Sequence, residues 1–404
     1  MLTHSYYEED PRVRREAEAV AASGRPVDVF ALRRPGDAPA GELDGVNLHR
    51  LDVQRHQGAG LATYLREYLS FFARAGWALA RAHRRRRYGL VQVHTLPDFL
   101  VFAAAPLRLA GVPALLDLHE AMPEFYRSRF PGAANPIAHG LLLLQERLSI
   151  AAASAVVTVN GALRDRLVAR GVPADKVHVV PNSPALARFD PAAHPARPFR
   201  ADGTLRLVYA GAVTPTYELD VAIRAIARIA HDRPELPVVL ELYGRGDSTD
   251  GLRALAADLG IADRIVLHGR IPIEAVPGAI AAADVGLAPT RRDAFTDVSL
   301  STKIYEYAAM GRPVVASRLP LVERAFPAGS LAVYEPGDPA SLAAAILAVN
   351  DDPAGREATV AGAAEVVRAA AWEVVRAGYL ALVERLVRGV PAQPRATGVD
   401  PTHH

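Results

Sequence analysis

Short apolar segments alternate with amphipathic helical segments along almost the whole chain, and this alternation restricts the fold more than any other feature. Segments such as Val238–Tyr243 and Val285–Ala288 have the length and apolar character of buried strands. Helical segments such as Leu219–Ala230 separate them. This order predicts an α/β protein with parallel sheets and crossover helices. The strands predicted in the first half are Pro26–Leu32, Gly89–His94, Val112–Asp117, Ala155–Asn160 and Val177–Pro181.

The alternation is interrupted once, which predicts two domains. Residues 183–203 are rich in Pro, Ala and Gly and show no sustained period, as is typical of a linker. The chain length of 404 residues also favours two domains. Two open parallel sheets would leave a cleft at the carboxyl ends of their strands, where ligands bind. We predict an N-terminal domain at 1–186, a linker at 187–203, a second domain at 204–370, a helix at 371–388 and a tail at 389–404.

The composition excludes several classes of protein. Half of the residues are hydrophobic and 22% are charged, which indicates a globular rather than a disordered or fibrous chain. There is no cysteine, so disulfides and thiolate metal sites are excluded and a cytoplasmic location is expected. Residues 1–30 show no secretory leader pattern, and no apolar run approaches the roughly 20 residues of a membrane span.

The stretch STKIYEYAAMGRPVVAS at 301–317 has the pattern of a short helix followed by a strand. Ser301 or Thr302 can cap a helix start whose free amides attract an anion. Lys303 adds a positive charge there, which opposes the helix dipole unless an anion is bound. Glu306 lies one turn further on the same face, where a carboxylate can accept hydrogen bonds from two ribose hydroxyls. The alternative is a surface ion pair worth a few tenths of a kcal/mol.

This stretch resembles the nucleotide-binding signature of retaining glycosyltransferases of family 4, the glycosyl transferases group 1. Other segments resemble the family in the same order, among them LLDLHEAMPE at 115–124, LELYGRGD at 240–247 and IVLHGRI at 265–271. The resemblance covers nearly the whole chain. It implies the GT-B fold, in which two Rossmann-like domains face a central cleft and a C-terminal helix crosses back to the N-domain.

The resemblance also implies roles for individual residues. Glu306 would hold the ribose, and Lys303 with the amides of Ser301 and Thr302 would bind the diphosphate. His119 would act near the sugar or the attacking hydroxyl, although it could instead be a buried histidine satisfied by Asp117. The remaining implied contacts are Gly211 beside the diphosphate, Arg270 and Ile271 at the base, and Arg245 at the phosphates. Alternatively, Gly211 is simply a turn residue and Arg245 an exposed loop residue.

The sequence departs from the family pattern at three positions. Ala212 and Glu218 stand where many members have a basic residue for the diphosphate. Val298 stands where an acidic residue normally contacts the donor sugar, eight positions before the ribose glutamate. Asp297 is our substitute for it, with Asp293 as a second choice. The departures keep a second interpretation open, in which the chain is a catalytically silent GT-B protein that serves as a binding or scaffold partner.

The resemblance implies an enzyme that moves a sugar from a UDP- or GDP-sugar to an acceptor hydroxyl with retention, in surface polysaccharide or glycolipid synthesis. A nucleotide-sugar epimerase is a third, less favoured interpretation. The histidines are scattered and no metal motif is present, so no metal is expected. The acceptor class we expect is a lipid-linked saccharide, and nucleic acid is rejected because no recognised binding module is present.

The stretch HRRRR at 83–87 has two interpretations. It follows a helix with an apolar face that includes Leu65, Leu69, Phe72 and Trp77. This basic and aromatic segment could contact anionic lipid, which would place the protein at the inner face of the membrane. Alternatively the apolar face belongs to the core and the arginines form an ordinary solvated turn.

Overall fold

The computed structural model describes residues 1–53, 61–129, 135–183 and 186–389. The chain forms two compact units. Unit 1 contains Met1–Asn182 together with the last helix from Val375 onward, and unit 2 contains Ser183–Val374. Residues 390–404, which make up most of the predicted tail, lie outside the described part.

Unit 1 is built on a largely parallel sheet. Its strands are β1 (Val27–Leu32), β2 (Ala40–Leu43), β3 (Val46–Leu51), β4 (Val91–His94), β5 (Ala114–Leu118), β6 (Ala155–Thr158) and β7 (Val177–Val179). Its helices are α1 (Pro11–Ala22), α2 (Leu61–Arg86), α3 (Ala105–Leu109), α4 (Met122–Arg129), α5 (Pro136–Ala152) and α6 (Gly161–Ala169), with a 3-10 segment at Asp98–Ala104 before α3.

The first residues of the chain join two groups of strands in unit 1. The strand orders are β2-β3-β1 and β4-β5-β6-β7, and Leu2 forms parallel bridges to both β1 and β4. The Leu2 amide donates to Gln92 O at 2.9 Å, and the His94 amide donates to Leu2 O at 2.9 Å. Of the described strands in unit 1, only β2 runs antiparallel, paired with β3 through a tight turn at Asp44 and Gly45, both of which have positive φ.

Unit 2 is a six-stranded, fully parallel sheet. Its strands are β8 (Leu205–Ala210), β9 (Val238–Tyr243), β10 (Ile265–Gly269), β11 (Val285–Ala288), β12 (Val314–Ser317) and β13 (Ala332–Tyr334). Its helices are α7 (Leu219–Asp232), α8 (Thr249–Asp258), α9 (Val276–Ala281), α10 (Thr302–Ala309), α11 (Pro320–Ala325), α12 (Pro339–Asp351) and α13 (Pro353–Ala369).

The strand order of unit 2 fixes where a ligand can bind. The order is β10-β9-β8-β11-β12-β13. From β8 the chain adds strands β9 and β10 on one side and strands β11 to β13 on the other, so the strand order reverses between β8 and β11. In parallel sheets of this kind, ligands bind beyond the carboxyl ends of the strands at that reversal. The loops that begin at Gly211, after β8, and at Pro289, after β11, therefore lie at the expected site.

The last helix, α14 (Trp372–Arg388), begins in unit 2 and belongs to unit 1 from Val375 onward. Its residues Tyr379, Leu382 and Val383 are buried, and the Tyr379 hydroxyl donates to Gln92 Oε1 at 2.7 Å. Among the described residues, no helix combines the length and the apolar character needed to cross a membrane.

Candidate active site

The start of α10 has the free amides that the sequence predicts. Ser301 occupies the N-cap position with extended backbone, yet no side chain caps the first turn. The amides at the start of a helix have no partner within the helix, and together with the helix dipole they favour an anion. The structure thus brings Ser301, Thr302 and Lys303 together at a helix start suited to a phosphate.

Lys303 is a buried cation that forms no ion pair with any described carboxylate. Its side chain is only 8% exposed. The ammonium lies 3.9 Å from the ring centre of Tyr217 and 5.2 Å from that of Tyr209. Such contacts stabilise an ammonium by about 0.5–2 kcal/mol, which is less than the several kcal/mol that burying a charge costs. Lys303 therefore lacks a paired anion among the described residues, and a phosphate could supply one.

Gly211 packs directly against this lysine. A Cβ at Gly211 would lie 2.2 Å from Lys303 Cε and 2.8 Å from its Nζ, and the backbone φ of +155° is one that side-chain-bearing residues rarely adopt. Its amide donates to Tyr243 O at 2.8 Å, which joins the loops after β8 and β9. A Cβ at Gly244 would lie 1.7 Å from Gly211 O. Gly244 is therefore required for the loops to approach each other, and Gly211 leaves the space that the Lys303 side chain occupies.

Glu306 has a carboxylate that makes no side-chain hydrogen bond with any described residue. The side chain is partly exposed, but burial raises its pKa, and the charges of Lys303 and Arg188 offset only part of that effect. A carboxylate in this state has free acceptor sites for a ligand hydroxyl. The sequence analysis did not single out Arg188, because it belongs to the segment that precedes β8 and only the fold brings it near Glu306.

The other predicted residues of unit 2 have less specific surroundings. Arg245 and Arg270 are exposed, and Ile271 is partly buried. Asp297 pairs with Arg292 at 3.3 Å on the surface.

Two carboxylates stabilise loops: Asp293, the second choice for the donor-sugar contact, and Glu218, which stands at one of the departures from the family pattern. Asp293 accepts hydrogen bonds from the amides of Phe295 and Thr296. Glu218 is buried and accepts the Gly337 amide at 2.8 Å. These contacts give both carboxylates a local structural role.

His119 in unit 1 follows β5 and belongs to a buried cluster of charged side chains. His119 Nε2 lies 3.2 Å from Asp117 Oδ2, and His94 Nδ1 lies 3.1 Å from the same oxygen. Arg12 donates to both Asp117 oxygens, at 2.8 and 2.7 Å. Arg12 also donates to Val180 O at 2.8 Å. The cluster thus ties α1, β4, β5 and the segment after β7 together.

The charges of this cluster determine its protonation. Burial alone would raise the pKa of Asp117, but Arg12 and the histidines hold it well below its usual range. Burial alone would lower the pKa of His119, but the Asp117 charge outweighs that effect and the pKa is raised. His119 remains partly exposed, with 19% of its side chain accessible. It is therefore oriented by Asp117, as one interpretation of the sequence expected, and still accessible to a ligand.

The fold also assembles a set of metal-type ligands that the sequence analysis did not anticipate. His94, Asp117 and His119 could each offer one ligand atom, and these atoms lie within 4.8 Å of one another. They lie on β4, on β5 and directly after β5, and these positions give no local motif. However, a guanidinium occupies both oxygens of Asp117, and its positive charge would repel a cation. The residues present therefore fit a hydrogen-bonded histidine better than a metal centre.

Comparison with known proteins agrees with these observations. Residues 10–183 match the family model of the glycosyl transferase 4-like domain, and residues 204–352 match that of glycosyl transferases group 1. The chain belongs to glycosyltransferase family 4. This family 4 chain is 28% identical over 381 residues to a D-inositol 3-phosphate glycosyltransferase from Thermomonospora curvata, with 88% of this chain and 85% of the relative covered.

Solved structures show the same fold for this family 4 glycosyltransferase. Sucrose-phosphate synthase from Thermosynechococcus elongatus superposes with a TM-score of 0.74 at 20% identity, covering 94% of this chain and 93% of that one. The Anabaena protein HepE in complex with UDP-glucose gives a TM-score of 0.69 at 15% identity, covering 95% and 98%. The predictions of family, GT-B fold class and enzyme class are confirmed: the chain is a glycosyltransferase.

Proposed function

We propose that this glycosyltransferase transfers a sugar from a nucleoside diphosphate sugar to an acceptor hydroxyl with retention at the anomeric carbon. The observation that carries the proposal is Lys303, a buried ammonium without a carboxylate partner among the described residues, placed at the uncapped start of α10. Glu306 lies one turn away, and no described residue forms a side-chain hydrogen bond with its carboxylate. A nucleoside diphosphate matches both groups, because it combines phosphates with a neighbouring ribose.

The same residues account for the chemistry. Negative charge accumulates on the diphosphate as its bond to the sugar breaks, so Lys303 and the amides of Ser301 and Thr302 stabilise the transition state more than the bound donor. Because Lys303 supplies positive charge at this point, we propose that the reaction needs no metal ion. Glu306 holds the ribose hydroxyls, and the segment Gly269–Ile271 contacts the base through its backbone. Retention by front-side attack is proposed from the family alone.

The donor and acceptor classes are further parts of the proposal. The HepE structure contains UDP-glucose, which makes a UDP-sugar the first donor to test. The names of the relatives make D-inositol 3-phosphate the first acceptor to test, beside the lipid-linked saccharide of a cytoplasmic polysaccharide or glycolipid pathway. In unit 1, His119 is proposed to act on the sugar or the attacking hydroxyl. Asp297 remains our proposal for a donor-sugar contact, and Arg245 and Arg270 for the phosphates and base.

Calorimetry and turnover test the proposal together. Wild type should bind UDP or GDP and release it from the matching nucleotide sugar. Glu306→Ala should weaken nucleotide binding severely, and Lys303→Ala should lower turnover. Glu274→Ala and Lys176→Ala serve as controls, because they remove the same residue types elsewhere. Binding of neither nucleotide would favour the silent scaffold protein, product formation without an acceptor would favour the epimerase, and unchanged kinetics in both site variants would remove the assignment.

A further inference from the structure

One side of unit 1 has an unusual concentration of exposed apolar residues. Helix α5 shows it best, because Ile137, Leu141, Leu144 and Leu148 are each at least half exposed. Their spacing places them in one narrow stripe along the helix. The buried side of the same helix contains Glu146 and Ser149 beside Ile150. Leucines thus face outward along α5, and a carboxylate lies on its buried side.

The neighbouring elements continue this apolar surface. On α2, Leu65 and Leu69 are about half exposed and Trp77 is 67% exposed. At α3 and the segment before it, Leu109 and Phe102 are exposed as well. Nine of the twelve large apolar residues that are exposed among the described part of the chain lie on these elements. The expectation that this side of α2 belongs to the core is therefore wrong for Leu65, Leu69 and Trp77.

These elements lie on the same side of the sheet. Helices α2 and α5 both pack against Asp98–Ala104. The crossovers from β3 to β4, β4 to β5 and β5 to β6 are right-handed in nearly all parallel sheets, which places α2, α3 and α5 side by side on one face. We call the surface formed by the nine exposed apolar residues of α2, α5 and the segment Phe102 to Leu109 the apolar face. Its nine exposed apolar residues lie on adjacent elements, whereas apolar exposure on a protein surface is normally scattered.

The charges beside the apolar face have one sign. The only carboxylates on these elements, Glu67, Asp98 and Glu146, are all buried. Exposed arginines accompany the apolar residues, and Arg81 stacks on Trp77 with its guanidinium carbon 5.4 Å from the ring centre. Arg84 follows one turn later on the same side of α2. The apolar face therefore presents cations and apolar groups without any exposed anion of its own.

We propose that the apolar face docks on an anionic lipid bilayer. Leucines and a tryptophan can enter the boundary between headgroups and acyl chains, while adjacent arginines bind lipid phosphates. A symmetric dimer through this face is disfavoured, because an isologous interface would bring two like-charged patches together. An acidic protein partner would match the charge, but a bilayer also explains why the apolar residues extend over three separate elements. The proposal concerns unit 1 alone and stands independently of the sugar-transfer chemistry.

Vesicle co-sedimentation tests this docking. The purified full chain should pellet with vesicles of equimolar phosphatidylcholine and phosphatidylglycerol, and much less with phosphatidylcholine alone. Arg81→Gln/Arg84→Gln should weaken partitioning by about 30-fold, from about 1 kcal/mol for each arginine near the surface. Ile137→Gln/Leu141→Gln should also abolish most binding. Leu259→Gln and Arg253→Gln in unit 2 are the matched controls and should change nothing.

Two further measurements make the result decisive. The melting temperature of each variant shows that it is folded, which is expected because the substituted side chains are largely exposed. Light scattering coupled to gel filtration gives the oligomeric state. The proposal is overturned if wild type ignores anionic vesicles, or if both pairs of substitutions leave binding intact. A dimer that the Ile137→Gln/Leu141→Gln variant dissociates would instead identify the face as an interface between two copies.

Discussion

The substitution Lys303→Met separates a ligand-binding role from a structural role, because the two predict opposite changes in stability. Methionine keeps most of the side-chain volume and removes the charge. Lys303 is only 8% exposed, and the only described partners of its ammonium are the Tyr217 and Tyr209 rings. Loss of the cation–π contacts removes about 0.5–2 kcal/mol, whereas relief from burying a charge returns several kcal/mol. We therefore expect the folded state to become more stable.

Nucleotide binding should change in the opposite direction. A hydrogen bond between two charged groups contributes about 1.5–3 kcal/mol, so the dissociation constant for UDP should rise about 10- to 150-fold. Urea unfolding gives the stability change as a shift in midpoint, which does not require the two units to unfold in one step. Calorimetry gives the affinity. Lys176→Met is the matched control, because Lys176 is the only other lysine in the chain.

The refuting result for Lys303 is specific. If the methionine variant unfolds at clearly lower urea concentration and binds UDP as wild type does, the lysine stabilises the loop through Tyr217 and binds no phosphate. A loss of both stability and binding would also contradict the reasoning, because binding would then fail through misfolding rather than through loss of one charge.

Three further substitutions test individual contacts. Burial raises the pKa of Glu306, so its charged form costs stability at neutral pH. Glu306→Gln should therefore raise the urea midpoint at neutral pH, and this gain should vanish at acidic pH, where the wild-type carboxyl is protonated. The same substitution should weaken UDP binding about tenfold. Gly211→Ala should destabilise unit 2 by about 1–3 kcal/mol, and Lys303→Ala should remove part of that penalty because the added Cβ then has no Cε beside it. Arg12→Leu should cost about 3–5 kcal/mol of unfolding free energy, and Arg12→Leu/Asp117→Leu should recover much of it.

Each of these expectations has a contrary outcome. A Glu306→Gln midpoint that follows wild type at every pH would show that burial does not raise the pKa of this carboxyl. Additive effects of Gly211→Ala and Lys303→Ala would mean that the two side chains do not meet. A double variant of Arg12 and Asp117 as unstable as Arg12→Leu would show that the damage comes from lost packing rather than from an unpaired buried charge.

The order of strands and helices followed from the sequence where the pattern was local. Strand β11 begins and ends where its apolar run does, because a strand buried on both faces needs a continuous apolar run. The sequence analysis omitted the strands β2, β3 and β13 and the helices α4, α5, α11 and α13. The Asp44–Gly45 pair is a typical hairpin signal that could have revealed β2 and β3. The spacing of Ile137, Leu141, Leu144 and Leu148 is helical, but it does not say which side faces outward.

Within the candidate site, the sequence by itself determined the groups that lie within one helical turn. Ser301, Lys303 and Glu306 are close because α10 is a helix, so their spacing was enough to predict an anion site with a carboxylate nearby. Only the tertiary structure decided that Lys303 is buried against Tyr217 and Gly211, and that Arg12 reaches Asp117 across 105 positions. Periodicity records which side of an element is apolar; it carries no information about which distant element covers that side, and burial and charge pairing depend on that partner.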